Sequence, residues 1–196
     1  LYLSRFARGR TGSFLRCGVE LLAGIPSVVY GFFGLVIIVP FVRLLGPGTG
    51  LSVLAASLIL GIMILPTVIT VAQSALDAVP SRYYEGALAL GVDHEHAVFK
   101  VVAPAAASGI MAAIVLGLGR AIGETMAVVM VAGNMPIIPD SLLSGVRTMT
   151  ANIVLEMGYA ADLHREALIA TGVVLFVFIL LITMLLNVIR KRGEAR

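Results

Sequence analysis

The stretch ALIATGVVLFVFILLITMLLNVI, residues 167–189, decides the fold class of this chain. It carries no charge, and about 20 apolar residues of helix are what the hydrocarbon core of a bilayer requires. The whole chain agrees, because 59% of its 196 residues are hydrophobic and 13% are charged, whereas a soluble domain carries roughly a quarter charged residues. We therefore predict an all-α membrane protein that spans the bilayer several times.

Three further apolar stretches and the flanking charges predict a polytopic transmembrane helical bundle of about four spans. The other spans run from about 19 to 42, 51 to 76 and 104 to 133. Lys and Arg are in excess on the cytoplasmic side of membrane proteins, and here they lie mainly at both chain ends and in the loop 77–103. The ends and that loop are therefore predicted to be cytoplasmic, and the loop 134–166 extracytoplasmic. The cations on the predicted cytoplasmic side are Arg5, Arg8, Arg10, Arg16, Arg82, Lys100, Arg190, Lys191, Arg192 and Arg196, against Arg43, Arg147 and Arg165 outside.

Prolines interrupt the first two predicted spans, and they allow two interpretations. Pro26, Pro40 and Pro66 either kink helices whose freed backbone groups are satisfied by neighbours, or mark broken helices that shape a passage. The sequence leaves both open.

The loop 77–103 is too long for a simple turn between spans. Pro80 suits the start of a short helix, and Glu85 lies early enough to favour its N-terminal dipole. Gly91 is suited to end that helix in a left-handed conformation, and Asp93 to cap a second one. Such an element fits a docking site for another protein, and by composition alone it fits an amphipathic loop on lipid headgroups equally well.

Within this loop, EGA at residues 85–87 is followed by three residues, Gly91, nine residues and VVAP at 101–104. This spacing resembles the EAA motif of ABC-importer permeases, which have a MetI-like transmembrane domain. The family pattern is EAA, three residues, Gly, nine residues and I-x-L-P. The departures are small or apolar exchanges. The resemblance implies that this loop forms coupling helices for an ATPase subunit. The residues assigned to that coupling are Glu85, Gly86, Ala87, Gly91 and Pro104.

The chain carries no Gly-x4-Gly-Lys-Ser/Thr phosphate loop of its own. ATP and Mg are therefore expected on a partner ATPase, with no cofactor in this chain and no enzymatic chemistry. Asp93-His94-Glu95-His96 resembles a metal site only superficially, because residues two apart on a helix point to nearly opposite faces and zinc needs further ligands. We predict a solvated loop there, no metal site, and no disulfide, since Cys17 is the single cysteine.

The third predicted span carries two opposite charges, Arg120 and Glu124. A lone Arg at mid-bilayer costs roughly 2.5–3.5 kcal/mol, and a Glu four residues on lies on the same helix face. An intrahelical ion pair facing protein or a water-filled passage is therefore predicted. Its role is either to clamp helices together or to form part of an anion pathway, for which the planar guanidinium is well suited.

Small residues recur at every fourth position of the same span. Such a stripe allows close helix approach within a membrane, so this helix is predicted to lie in the interior of the bundle. The stripe consists of Ala105, Gly109, Ala113, Gly117 and Ala121.

The string LGRAIGETMAVVMVAGN, residues 118–134, resembles the corresponding helix of phosphate-importer permeases, and the PstC-like subunit more than its PstA-like partner. IPSVVYG at 25–31 and TANI at 150–153 agree. The resemblance implies that Arg120, Glu124 and Thr125 line the translocation pathway. The implied partners are a PstA-like second permease, a PstB-like ATPase dimer, a PstS-like extracytoplasmic phosphate-binding protein and the lipid bilayer, with no nucleic acid.

PstC-like proteins have further N-terminal spans, and the first residues of this chain look like the tail of one. The chain is therefore expected to be a single permease domain over 1–196, N-terminally truncated, in a bacterial or archaeal plasma membrane. A permease for another oxyanion or small solute is the alternative, since the coupling loop does not specify cargo. An intramembrane enzyme would need a nucleophile or metal set within the spans, and a passive channel would not need the coupling motif.

The predicted outer loop, 134–166, is long for a connection without structure. Pro136 and Pro139 favour a turn, and residues 144–157 are predicted to form a half-buried helix. Its surface would meet a phosphate-loaded binding protein or form a lid packed on the bundle, and the sequence does not choose between them.

Overall fold

The computed structural model describes residues 1–7 and 9–194, with side chains through residue 188. This part of the chain is helical, apart from turns and one isolated β-bridge between Gly133 and Val146. After a π-helical turn at Tyr2–Phe6, the helices are α1 (Gly9–Gly24), α2 (Ser27–Arg43), α3 (Val53–Asp77), α4 (Ser81–Ala89), α5 (His94–Ala105), α6 (Ala107–Gly123), α7 (Met126–Val131), α8 (Met149–Glu156) and α9 (Asp162–Glu194).

Among the described residues, two helices are each long and apolar enough to cross a membrane. They are α3 and the Asp162–Val188 part of α9, with mean hydropathies of 2.4 and 2.9. The count rises to four if the pairs α1–α2 and α5–α6 each form one bent span, which matches the predicted number. Orientation stays a prediction. Arg8 and Arg196, two of the cations on which the predicted orientation rests, lie outside the described residues.

The first predicted span is not one helix. Helix α1 ends at Gly24, and Pro26 stands before α2 with the extended values φ −60° and ψ 143°. Proline lacks an N–H group, and it disfavours helical backbone in the residue before it, so Pro26 separates two helices. Pro40 and Pro66 instead lie inside α2 and α3. Pro40 follows a π-helical turn at Gly34–Ile38.

The third predicted span, 104–133, also differs from the structure. Helix α5 begins at His94 and continues through Pro104, and the chain then bends by 66° into α6. Helix α6 ends at Gly123, and two residues separate it from the short helix α7. The single helix predicted here is therefore three helices. The second break, between α6 and α7, falls at Glu124 and Thr125, two of the predicted pathway residues.

The described chain forms two compact units. One comprises 1–24, 65–118 and the chain from Thr183 on, and the other comprises 25–64 and 119–182. In the first unit, Leu76, Val102 and Ala106 form a buried core. In the second, the buried core lies among α2, α3 and α7 and consists of Tyr30, Val39, Val42, Ala55, Ala56, Ile59, Met63, Ala127, Val128, Val131 and Ala132. Organisation as a single domain over 1–196 stays a prediction.

The stripe of small residues on α6 is used for close packing. A side chain at Gly109 would collide with Ala75 of α3, and Ala113 and Gly117 are buried. Other positions of α6 are exposed, namely Ile114, Leu116, Leu118 and Arg120. The place of this helix in the interior of the bundle stays a prediction.

Candidate coupling element and pathway residues

The loop 77–103 folds as two short helices joined by a glycine turn. Helix α4 follows Pro80, whose backbone is extended with ψ 136°. Gly91 has φ +82°, a left-handed conformation that glycine adopts without steric cost. Backbone hydrogen bonds close the turn, from Gly91 N to Leu88 O at 2.9 Å and from Val92 N to Ala87 O at 3.2 Å. The predicted helix–glycine–helix element is confirmed.

Asp93 occupies the N-cap position of α5 as predicted, but its side chain does not cap the helix. Its carboxylate lies 2.6 Å from Nδ1 of His96 instead, and both side chains are exposed. The solvated-loop prediction is therefore confirmed for His96.

The same prediction is wrong for His94. Its ring is half-buried, its Nδ1 lies 2.7 Å from the hydroxyl of Tyr84 on α4, and Phe6 meets it edge-on at a centroid distance of 4.9 Å. The half-buried position of His94 agrees with helical spacing. Ala97 and Val98, three and four positions further on, share its helix face and are fully buried.

The residues of the EAA resemblance divide between surface and core. Glu85 and Gly86 of α4 are exposed, as is Gly91, whereas Ala87 is buried. Pro104 is exposed near the far end of α5. Apolar side chains accompany the exposed positions, with Leu88 40% and Leu90 86% accessible. The exposed surface beside the motif is therefore partly apolar.

The N-terminal segment packs against this element, which the sequence did not predict. The guanidinium of Arg5 donates to the carbonyl of Leu76 at 2.7 Å, and the Ser4 hydroxyl donates to the Asp77 carboxylate. A cation at the C-terminus of a helix satisfies its last carbonyls and favours its dipole. Arg5 therefore caps α3, in addition to counting as a flanking charge.

In the second unit, the break between α6 and α7 falls at Glu124 and Thr125. Oε1 of Glu124 accepts from the N–H of Ala127 at 3.1 Å, and the Thr150 hydroxyl donates to the carbonyl of Glu124 at 3.3 Å. The Thr125 hydroxyl donates to the Gly123 carbonyl at 3.3 Å. A helix broken within a bilayer must satisfy its freed backbone groups from the protein, and these side chains do so.

Arg120 and Glu124 do not share one continuous helix. Arg120 lies in the last turn of α6 and is exposed, whereas Glu124 is half-buried beyond the helix end. The predicted i,i+4 geometry is therefore wrong, because the Glu124 side chain caps the next helix. An Arg in the last turn is itself favoured by the helix dipole. Pairing between these two charges, and their place in a pathway, stay predictions.

A cavity of about 230 Å³ adjoins the break. Its polar lining comes from Ser57, Glu124, Thr148 and Thr150, and the rest is mainly apolar. Among the described residues, Arg120 and Thr125 are not part of this lining. The structure therefore brings Glu124 together with threonines from the predicted outer loop, which sequence reasoning did not assign to the site.

The outer loop is built around Arg147. Its Nε donates to the carbonyl of Asn134 at 3.0 Å, and its Nη1 donates to Asn152 at 3.3 Å and to Glu156 at 2.7 Å. The predicted helix 144–157 is shorter, Met149–Glu156, with Thr148 accepting from Ala151 N at its start. Arg147 therefore ties Asn134, at the start of the loop, to Asn152 and Glu156 of α8.

The electrostatics of Glu156 follow from these contacts. The hydroxyl of Tyr159 and then Arg147 lower the pKa of the Glu156 carboxyl below its usual value, against the effect of burial. The same hydrogen bond raises the pKa of Tyr159. His164 adds a weak contact, with Nε2 3.9 Å from Glu156 Oε2. The carboxylate is therefore charged, and available to Arg147, over the whole neutral range.

The side chains described, in residues 1–7 and 9–188, do not assemble a metal-ligand group. No group of three His, Cys, Asp or Glu side chains converges there. Cys17 is exposed on α1.

Comparison with known proteins agrees with these features. The chain matches the family described as binding-protein-dependent transport system inner membrane component over residues 1–194. It is 38% identical to the probable ABC transporter permease protein YqgH of Bacillus subtilis, over 99% of this chain and 64% of that protein. It is 37% identical to the phosphate transport system permease protein PstC of Mesorhizobium japonicum, over 91% and 61%. PstC 1 of Mycobacterium tuberculosis is 36% identical, over 91% and 59%.

The chain thus spans about three fifths of the length of the curated relatives it matches. The matched family consists of inner membrane components of transport systems, and the apolar helices α3 and α9 fit a multi-pass protein of that membrane. The chain belongs to the binding-protein-dependent transport system inner membrane component family.

Proposed function

We propose that this chain is part of the PstC-like permease subunit of an ATP-driven importer of inorganic phosphate. One observation carries the coupling half of this proposal: the 85–104 motif folds as two helices around Gly91 and exposes Glu85 and Leu90. An exposed acidic and apolar surface at a fixed turn suits insertion into a cleft of another protein. That protein would be the ATPase subunit.

The cargo half rests on the relatives and on one cation. Two of the relatives described above carry names that specify phosphate transport, whereas YqgH is named only as an ABC permease. Arg120 is exposed at the end of α6, and a guanidinium can donate two hydrogen bonds to a tetrahedral oxyanion. Glu124 and Thr125 at the break would complete the pathway lining, with the carboxylate limiting how tightly an anion binds.

In this mechanism, ATP binding closes a PstB-like ATPase dimer and moves α4 and α5, and the spans then reopen outward. Phosphate would arrive on a PstS-like extracytoplasmic protein and pass between this permease and a PstA-like partner. Both chain ends and α4–α5 would face the cytoplasm, as the positive-inside rule requires. ATP and Mg bind the partner ATPase, and this chain performs no covalent chemistry.

Uptake of radiolabelled phosphate tests the proposal in a bacterial strain that lacks its own phosphate permease and expresses the full-length protein with its partner subunits. We expect ATP-dependent uptake that excess phosphate abolishes and sulfate does not. Loss of uptake in Arg120→Gln, with the complex intact, would support the pathway role. Uptake of a different oxyanion would instead favour the alternative cargo, and unaltered uptake in Arg120→Gln would leave Arg120 as a structural cation.

A further inference from the structure

We infer that Tyr84 and His94 form a clamp across the Gly91 turn, so that α4 and α5 move as one piece. The inference rests on the proposed coupling function and adds two positioning residues to it. Neither belongs to the motif that resembles the family pattern, and the metal interpretation of the Asp93–His96 string does not account for His94.

The clamp joins two helices that are connected by a short turn. Tyr84 lies on α4 and His94 is the first residue of α5, and their side chains are in hydrogen-bond contact at 2.7 Å. The rings also meet at 85° with centroids 5.7 Å apart. A glycine turn is the most permissive connection the backbone offers, so a side-chain bond across it restricts the angle between the helices.

Both partners of the clamp are anchored on the side away from solvent. The Tyr84 ring packs on the core formed by Leu76, Val102 and Ala106. The His94 ring is covered by Phe6, which also lies 6.1 Å from Phe99 of α5. A hydrogen bond in such a partly desolvated place is stronger than one on an open surface. The neighbouring Tyr83 and His96 side chains, by contrast, are exposed.

The clamp has a mechanical consequence for coupling. Force applied to the exposed residues Glu85 of α4 and Leu90, which directly follows α4, reaches α5 through Tyr84 and His94 as well as through the turn. Helix α5 then continues to Ala105 through a π-helical turn at Val98–Val102, with its buried face on the core of the same unit. Without the clamp, the Gly91 turn would absorb part of the motion, and ATP would be hydrolysed with less transport.

The test uses the intact transporter in liposomes and compares Tyr84→Phe with Tyr83→Phe. Each change removes one hydroxyl, so the second is a matched control. We expect Tyr84→Phe to retain the ATPase subunit but to raise ATP hydrolysed per phosphate taken up by about fivefold, the factor expected for one lost hydrogen bond. His94→Leu should raise the same ratio by the same factor, and the double variant Tyr84→Phe with His94→Leu should be no worse than either single variant. His94→Asn should keep the wild-type ratio, because the Asn amide can both donate and accept a hydrogen bond.

Hydrogen exchange at Gly91 and Val92 provides a second measurement that does not depend on cargo. Their amides are hydrogen bonded across the turn, and they should exchange faster in Tyr84→Phe than in the wild type or Tyr83→Phe. Unchanged exchange, an unchanged coupling ratio, or loss of the ATPase subunit from Tyr84→Phe would overturn the clamp. If the wild type takes up no phosphate, the proposed function fails instead, and the exchange experiment still decides whether the clamp exists.

Discussion

The Gly91 turn and the break at Glu124–Thr125 both interrupt helices, yet they are built differently. At Gly91 the backbone adopts a left-handed conformation, φ +82°, and a side-chain pair bridges the helices. At Glu124 the interruption is held by side chains bonded to backbone, from Glu124 itself and from Thr150. Gly91 is exposed, so water can satisfy backbone groups that are freed there, whereas Ala127 at the break is fully buried, and a buried donor without an acceptor is costly. The break should therefore tolerate substitution less well than the turn.

The largest effect is expected at Glu124. Glu124→Leu leaves the Ala127 N–H without its acceptor, and an unsatisfied buried donor lowers the free energy of unfolding by about 1–3 kcal/mol. Loss of the negative charge should also reduce phosphate transport. Glu124→Gln keeps an oxygen acceptor and should fold normally. Thermal stability of both variants in detergent, with phosphate uptake, separates the two roles. Equal stability of Leu and Gln variants would show that the carboxylate does not support the break.

A smaller effect is expected at Gly91. A side chain in left-handed backbone costs about 1–2 kcal/mol, so Gly91→Val should loosen the turn and lower phosphate uptake without removing the protein from the membrane. Gly91→Asn should be close to the wild type, because Asn tolerates this conformation. Uptake rates at equal expression provide the measurement. If Val and Asn behave alike, the left-handed turn is not what the position requires.

Thr150 should have a smaller effect again. Thr150→Val removes the hydroxyl that bonds the Glu124 carbonyl and should cost about 1 kcal/mol, whereas Thr150→Ser keeps it. Thr171→Val is a matched control, since the Thr171 hydroxyl bonds only the Ala167 carbonyl of its own helix among the contacts described. Melting temperatures of the three variants are compared. A Thr171→Val protein as unstable as Thr150→Val would remove any special role for Thr150.

The smallest effect, and a pH-dependent one, is expected in the outer loop. The folded-state pKa of Glu156 is lower than its usual value of 4.5, so its stabilising contribution is complete above pH 4.5 and is lost as the pH falls through the lower folded-state pKa. The hydrogen-exchange protection factors of α8, which correct for the slower intrinsic exchange at low pH, should therefore fall in acid. In Glu156→Gln they should be lower at neutral pH and should lack that acid step. An identical acid step in Glu156→Gln would mean that another group is responsible.

How much the sequence could predict also follows from this comparison. The Gly91 turn was predictable, because glycine and proline spacing specifies local backbone. The break at Glu124 was not, since Arg120 and Glu124 four residues apart fit a continuous helix equally well, and the deciding contact with Thr150 is 26 residues away. Local sequence patterns likewise could not predict the contacts Tyr84–His94 and Arg147–Glu156. For His94 they could indicate only the helix face, which it shares with the apolar residues Ala97 and Val98.

The central claim, that ATP hydrolysis on a partner moves phosphate through this subunit by way of α4 and α5, is tested most directly by phosphate accumulation in liposomes holding the intact transporter. We predict accumulation with ATP and not with a nonhydrolysable analogue, and loss of both accumulation and bound ATPase subunit in Glu85→Arg. Accumulation without hydrolysis, or a Glu85→Arg transporter that keeps its ATPase and imports normally, would contradict the account.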